Sequence, residues 1–219
     1  MKKIQFISFL ISLVFLTTGC QRLSKDNLQP ILILGDSFTS LAGEKWPRFF
    51  RDMVTAPIVV EPMMSIALAN AAVTGRGGLR HSPLAVIIYL GTWDLLWNNS
   101  ASVTKERFIN IINYFNSKNS VIFIVDMIGY DLMMKFWISR QAEDFQIQFL
   151  SLLSDYYAMF DQLKAENPDI IFIPNILDGV YGIHIVSGYP TLEGQQIMAE
   201  TIFNTMYNFL EQNELIRND

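Results

Sequence analysis

Cysteine is nearly missing from this chain: Cys20 is the only one among 219 residues. An intramolecular disulfide is therefore excluded, and stability has to come from a packed core. Histidine is scarce as well, so chemistry that needs an imidazole has only His81 and His184 to draw on. No group of His, Cys and carboxylate residues stands at metal-ligand spacing, and no metal or other cofactor is expected. Charge is thin and skewed, with 21 acidic against 16 basic residues. A formal net charge of −5 argues against a nucleic-acid partner and against electrostatic attachment to anionic lipid. Arg76-Gly77-Gly78 lacks the strand-then-glycines setting of a nucleotide loop and reads as a helix terminus.

The chain begins with a processing signal. Lys2 and Lys3 precede an apolar run from Ile4 to Leu16, too short for a comfortable membrane span and right for a secretory signal. Thr17-Thr18-Gly19-Cys20 follows, and this ending resembles that of a bacterial lipoprotein signal. The resemblance implies cleavage before Cys20, acylation of its thiol, and a lipid-anchored place in the bacterial cell envelope. Gln21 after the cysteine leans toward the outer membrane. The expected organisation is a signal peptide over 1–19, a polar tether over 20–30 and a single domain over 31–215.

Ile31-Leu32-Ile33-Leu34 runs straight into Gly35-Asp36-Ser37. Such a run reads as a buried parallel strand stopping at a tight turn, with Ser37 at the carboxyl edge where open α/β sheets do their chemistry. Further short apolar strands are expected at 58–60, 84–90, 121–125 and 170–173. Helical stripes lie between them: Trp46, Phe49, Phe50 and Met53; Phe108, Ile111, Ile112 and Phe115, with Thr104 as N-cap; Phe149 to Leu163, closed by Asn167-Pro168. Met198, Ile202, Met206 and Phe209 mark a last helix. Residues 63–78 read as a loop with a loosely specified helix, 129–144 show no clear period, and 174–190 read as a loop. The alternation predicts an α/β fold of three layers around a five-stranded parallel sheet, in the flavodoxin-like order 2-1-3-4-5.

Three blocks carry a family resemblance. Leu34-Gly35-Asp36-Ser37-Phe38-Thr39, Leu90-Gly91-Thr92-Trp93-Asp94 and Tyr189-Pro190-Thr191-Leu192-Glu193-Gly194 resemble blocks I, III and V of the SGNH/GDSL hydrolases, in their thioesterase, lysophospholipase and arylesterase branch. The resemblance implies that Ser37 attacks the carbonyl of an acyl or acetyl ester or thioester. It also implies that the serine N–H, a block II glycine and a block III asparagine hold the oxyanion, and that a block V Asp-x-x-His supplies the base and its orienter.

Carried over residue by residue, the chain keeps Ser37 and Gly91 and departs elsewhere. Trp93 stands at the asparagine; its indole N–H is a donor, but its bulk suits filling the pocket. Ile66 stands near the block II glycine, where a side chain would crowd the hole. Val186 stands at the aspartate and Tyr189 at the histidine; valine orients nothing, and a phenol with a pKa of about 10 is no base at neutral pH. His184, in Tyr181-Gly182-Ile183-His184, is the candidate displaced base, with Asp178 as orienter, whereas His81 falls on the amino-terminal side of the sheet. Asp36 and Asp94 read as partners of turn backbone and not as acids. Two functions follow: a lipid-anchored ester or thioester hydrolase using Ser37 and His184, or a non-catalytic pseudoenzyme that binds a ligand or partner on the same fold.

Overall fold

The computed structural model describes residues 28–36, 39, 45–75, 79–126, 138, 141–174, 185–186 and 189–217. Five parallel strands form one sheet: β1 (Ile31–Gly35), β2 (Ile58–Pro62), β3 (Ala85–Tyr89), β4 (Val121–Val125) and β5 (Ile171–Ile173). Their spatial order is β2-β1-β3-β4-β5, the order the alternating pattern predicts. The two central strands are apolar end to end because both faces are covered; Ile31 to Leu34 and Ala85 to Ile88 are fully buried. β2 lies at an edge, is partly exposed throughout, and carries Glu61 and Pro62. A charge and a missing N–H both discourage another strand from pairing there.

Among the described residues six longer helices surround the sheet: α1 (Trp46–Met53), α2 (Ile66–Thr74), α3 (Thr92–Leu96), α4 (Ala101–Asn116), α5 (Glu143–Glu166) and α6 (Leu192–Gln212). Right-handed crossovers put α1 with α6 on one face and α2, α4 and α5 on the other, and the helix contacts follow that division. The Trp46 N–H donates to Gln195 Oε1 at 2.9 Å, tying α1 to α6. Phe108 of α4 and Phe160 of α5 meet edge to face at 5.5 Å, and Phe123 meets Phe209 at the same distance across the other layer. Each such buried ring contributes about 1.5–3 kcal/mol through the surface it removes from water. Leu215, Ile216 and Arg217 return to the end of α1 through a bridge at Val54 and an Arg217 N–H to Met53 carbonyl bond.

Several local expectations need correction. The fourth helix starts at Ser100, whose hydroxyl accepts from the Val103 N–H at 3.4 Å, and not at Thr104. Thr104 is fully buried inside the helix, and its hydroxyl bonds the Tyr156 hydroxyl of α5 at 2.9 Å. Residues 63–78 contain a defined helix, α2, capped by Ser65, whose Oγ accepts from the Leu68 N–H. α5 begins at Glu143, inside the stretch that shows no period. The expected loop over 174–190 contains a two-stranded antiparallel hairpin, β6 (Ile185–Val186) with β7 (Tyr189–Pro190), immediately before α6. Residues 1–27, including Cys20, lie outside the described residues. No helix among those described is long and apolar enough to cross a membrane.

Candidate functional site

The carboxyl ends of β1, β2 and β3 finish level with one another, since Gly35 aligns with Pro62 on one side and Tyr89 on the other. Backbone bonds lock the ends together: the Asp36 N–H reaches the Tyr89 carbonyl at 3.4 Å, and the Met63 N–H reaches the Gly35 carbonyl at 2.8 Å. Ser37 lies outside the described residues, but the residues that bracket it are placed. The Asp36 carbonyl accepts from both the Thr39 N–H at 2.9 Å and the Thr39 hydroxyl at 2.7 Å. Thr39 is buried directly over Gly35, so a Cβ at residue 35 would come within 2.1–2.5 Å of the threonine side chain. Only glycine fits beneath that turn.

β3 leads into the second wall of the site. Gly91 has φ 121°, a conformation that L side chains rarely adopt, and it turns the chain sharply into α3. Trp93 and Asp94 follow in α3. Asp94 is fully buried and serves as a hub. Its carboxylate accepts from the Ile66 N–H at 2.7 Å, the Ala67 N–H at 3.4 Å and Asn99 Nδ2 at 3.2 Å, with Arg107 Nη1 at 3.9 Å. Burial raises this carboxyl above the usual aspartate range, against the pull of those hydrogen bonds and of the Arg107 charge. The network continues through Asn99, whose carbonyl accepts from the Tyr156 hydroxyl at 3.1 Å. The expectation for Asp94 thus takes a specific form: it binds backbone, but that of a helix 28 residues away.

This hub changes the reading of Ile66. Its side chain is fully buried in the core, and its N–H is committed to Asp94. Trp93 is partly buried, its ring 5.7 Å from that of Trp97, and its Nε1 is enclosed without a hydrogen-bond partner among the described residues. Thr92 Oγ1, on the preceding residue, is likewise buried and unpartnered. Asp126, just past β4, pairs with Lys164 through one carboxylate oxygen and leaves the other buried without a partner. Buried polar atoms without partners are few in folded proteins. Here Thr92, Trp93 and Asp126 all place them just past the carboxyl ends of neighbouring strands.

A small apolar cleft of about 60 Å³, open to solvent, adjoins α3. Leu95, Leu96 and Asn98 line one side, and Phe145, Phe149 and Leu152 of α5 line the other. Phe145, Ile147 and Leu150 on this end of α5, and Trp97 beside it, expose much of their apolar surface.

Of the remaining expected groups, His184, Asp178 and Tyr181 lie outside the described residues, as does Arg76-Gly77-Gly78. Val186 and Tyr189 have described backbone only; they pair with each other in the β6–β7 hairpin. His81 precedes β3, with Nε2 3.0 Å from Glu61 Oε1 and its carbonyl accepting from Lys118 Nζ at 2.7 Å.

The parallel sheet with its switch point beside β1, and glycine turns closing β1 and leading out of β3, define a doubly wound α/β protein. Within that class the chain has the fold of the SGNH/GDSL hydrolases. It superposes on the structure of TesA with a TM-score of 0.59, 15% identity, and coverage of 83% of this chain and 100% of that one. A GDSL-like lipase from Bacteroides thetaiotaomicron gives a TM-score of 0.59 at 16% identity, covering 83% of this chain and 89% of the other. The psychrotrophic esterase EstA from Pseudoalteromonas sp., in a structure inhibited by monoethylphosphonate, gives 0.56 at 14% identity, covering 84% and 99%. No protein-family model matches the sequence, and no curated protein is significantly similar to it.

Proposed function

We propose that the chain is an ester or thioester hydrolase of the bacterial cell envelope, anchored by a lipid on Cys20, with Ser37 as nucleophile and His184 as a displaced base. The observation that carries this reading is the end of the central β1 at Gly35 and Asp36, the two residues before Ser37 in the chain, bonded to the end of β3 on the fold shared with esterases and lipases. A serine hydroxyl is a weak nucleophile until an imidazole takes its proton. With valine and tyrosine at the block V positions, His184, which comes after β5 in the chain, is the histidine left for the role. An acidic domain suits a neutral ester over a polyanion.

Labelling of the full chain by a fluorophosphonate tests the proposal. Ser37→Ala abolishes labelling, and His184→Ala lowers its rate by orders of magnitude. Hydrolysis of short p-nitrophenyl esters no faster than by Ser37→Ala would sink the enzyme reading. Incorporation of labelled palmitate, lost in Cys20→Ser, tests the anchor separately.

One observation favours the second reading, a non-catalytic member that keeps the pocket for binding. The Ile66 N–H donates to Asp94 at 2.7 Å, which removes one donor from those that the family resemblance assigns to the oxyanion. A wild-type protein that is unlabelled yet binds short-chain esters at the cleft is the outcome specific to it.

A further inference from the structure

We infer that the outward face of α5, from Ile147 to Ala158, is a docking surface for a second copy of this chain, the two helices lying antiparallel about a two-fold axis between Leu150 and Ser151. The inference is independent of the hydrolase reading.

α5 is longer than the layer it belongs to. Thr104 of α4 meets Tyr156 and Phe108 meets Phe160, so the two helices run side by side at a constant offset of 52 residues. Ala101, where α4 begins, is therefore level with Leu153. The residues of α5 before that level, about ten of them, reach roughly 15 Å past the start of α4. There Phe145, Phe149 and Leu152 face Leu95 and Leu96 of α3 across the small cleft, and the opposite side of the helix is exposed.

That exposed side is short of charge. Ile147, Leu150, Ser151, Ser154 and Ala158 fall at helical spacing on one face, and all five are exposed, Ile147 by 62% and Leu150 by 51%. The solvent face of a helix ordinarily carries charged residues. None stands on this stripe between Glu143 and Asp161. Single exposed apolar residues are common. Here two large neighbours occupy one end of an uncharged stripe whose other end is serine and alanine.

This distribution selects a second copy over other occupants. In an antiparallel pair centred between Leu150 and Ser151, Ile147 lies opposite Ser154 of the second copy and Leu150 opposite its Ser151, so each large side chain meets a small one on both sides of the axis. The charges agree with this register. Glu143 stands level with Ala158, Asp144 with Tyr157 and Asp155 with Gln146, so no like charges meet. Sliding one helix by a turn brings Asp144 level with Asp161 and Leu150 level with Asp155. In the centred register the overhanging half of each helix gains a second wall, the domain-backed half of the other. About four turns of paired helix bury less than the roughly 800 Å² per partner of a tight complex, so association is expected in the micromolar range.

Sedimentation equilibrium of the full chain in density-matched detergent, from about 1 to 200 μM, tests the pairing. The expected mass rises from one chain to two across that range. Ile147→Glu weakens association about tenfold or more and leaves the melting temperature unchanged, because the residue is exposed. Ser154→Leu, also at an exposed position, weakens it about fivefold or more by setting bulk against bulk. Ile147→Ala/Ser154→Leu, which exchanges the large and small positions, restores it. A one-chain mass at every concentration, or a dimer indifferent to Ile147→Glu, overturns the proposal. Tighter association of Ser154→Leu overturns it as well, because a bilayer, a micelle or an unrelated apolar partner gains from each added apolar residue and this register does not. Should Ile147→Glu fail to fold, Ser154→Leu and the exchange decide alone, and an exchange that recovers nothing overturns the pairing.

Discussion

Trp93 and Asp94 are neighbours on one short helix, and their hydrogen bonding is opposite. Asp94 receives two backbone N–H groups and an amide, and has a guanidinium nearby; it is enclosed and spoken for. Trp93 presents an enclosed N–H that nothing among the described residues accepts. The first arrangement joins α2, α3 and α4 into one rigid corner, and the second leaves a donor over the sheet edge. The difference separates what fixes this corner from what it leaves over: a satisfied buried charge specifies geometry, and the indole N–H beside it is left without a partner among the described residues.

The clamp is the half whose loss has the largest effect. Asp94→Ala strands the Ile66 and Ala67 N–H groups, Asn99 and Arg107 together, and is expected to cost about 3 kcal/mol or more. In a domain of this size that lowers the melting temperature by roughly 6–12 °C, readable by thermal denaturation. If Asp94→Ala melts like wild type, the corner is held by its apolar contacts and the contrast with Trp93 loses its meaning.

Gly35→Ala comes next, because its Cβ would press on Thr39 at 2.1–2.5 Å. Overpacking of this kind costs about 1–3 kcal/mol. The double variant Gly35→Ala/Thr39→Ala is expected to recover most of the loss in denaturant unfolding, and a failure to recover would place the constraint in the backbone. Tyr156→Phe removes bonds to Thr104 and to the Asn99 carbonyl, the outer end of the Asp94 network, for about 1 kcal/mol.

The smallest effect is the dependence on pH. Burial raises the Asp94 carboxyl above its ordinary value of 3.8, so just above that value the folded protein holds a proton that the unfolded chain has released. The stabilising contribution is complete below 3.8 and is lost as pH rises through the folded value. Urea unfolding compared between wild type and Asp94→Asn isolates it: the difference should favour wild type increasingly as pH falls through that window.

Much of the architecture could be read along the chain. Ile31–Leu34 and Ala85–Ile88 are apolar without alternation because both sheet faces are covered, and that burial writes itself into composition. The helix stripes were legible for the same reason. Thr104 misled because a threonine before an apolar stripe looks like a cap, while its hydroxyl is used by Tyr156, 52 residues away. The β6–β7 hairpin pairs only two residues on each strand, too few to show alternation.

What the sequence determined by itself was the succession of strands and helices and, through it, the sheet order with its glycine turns after β1 and β3, since these depend on local apolar patterning and on where glycine alone is tolerated. Only the tertiary structure decided which polar groups are used up and which are left over. Asp94 finds its donors on a helix brought beside it by a crossover, and the described neighbours that enclose Trp93 offer its N–H no acceptor. Hydrogen-bond satisfaction is a property of what surrounds a group, and residues far apart in the chain supply those surroundings.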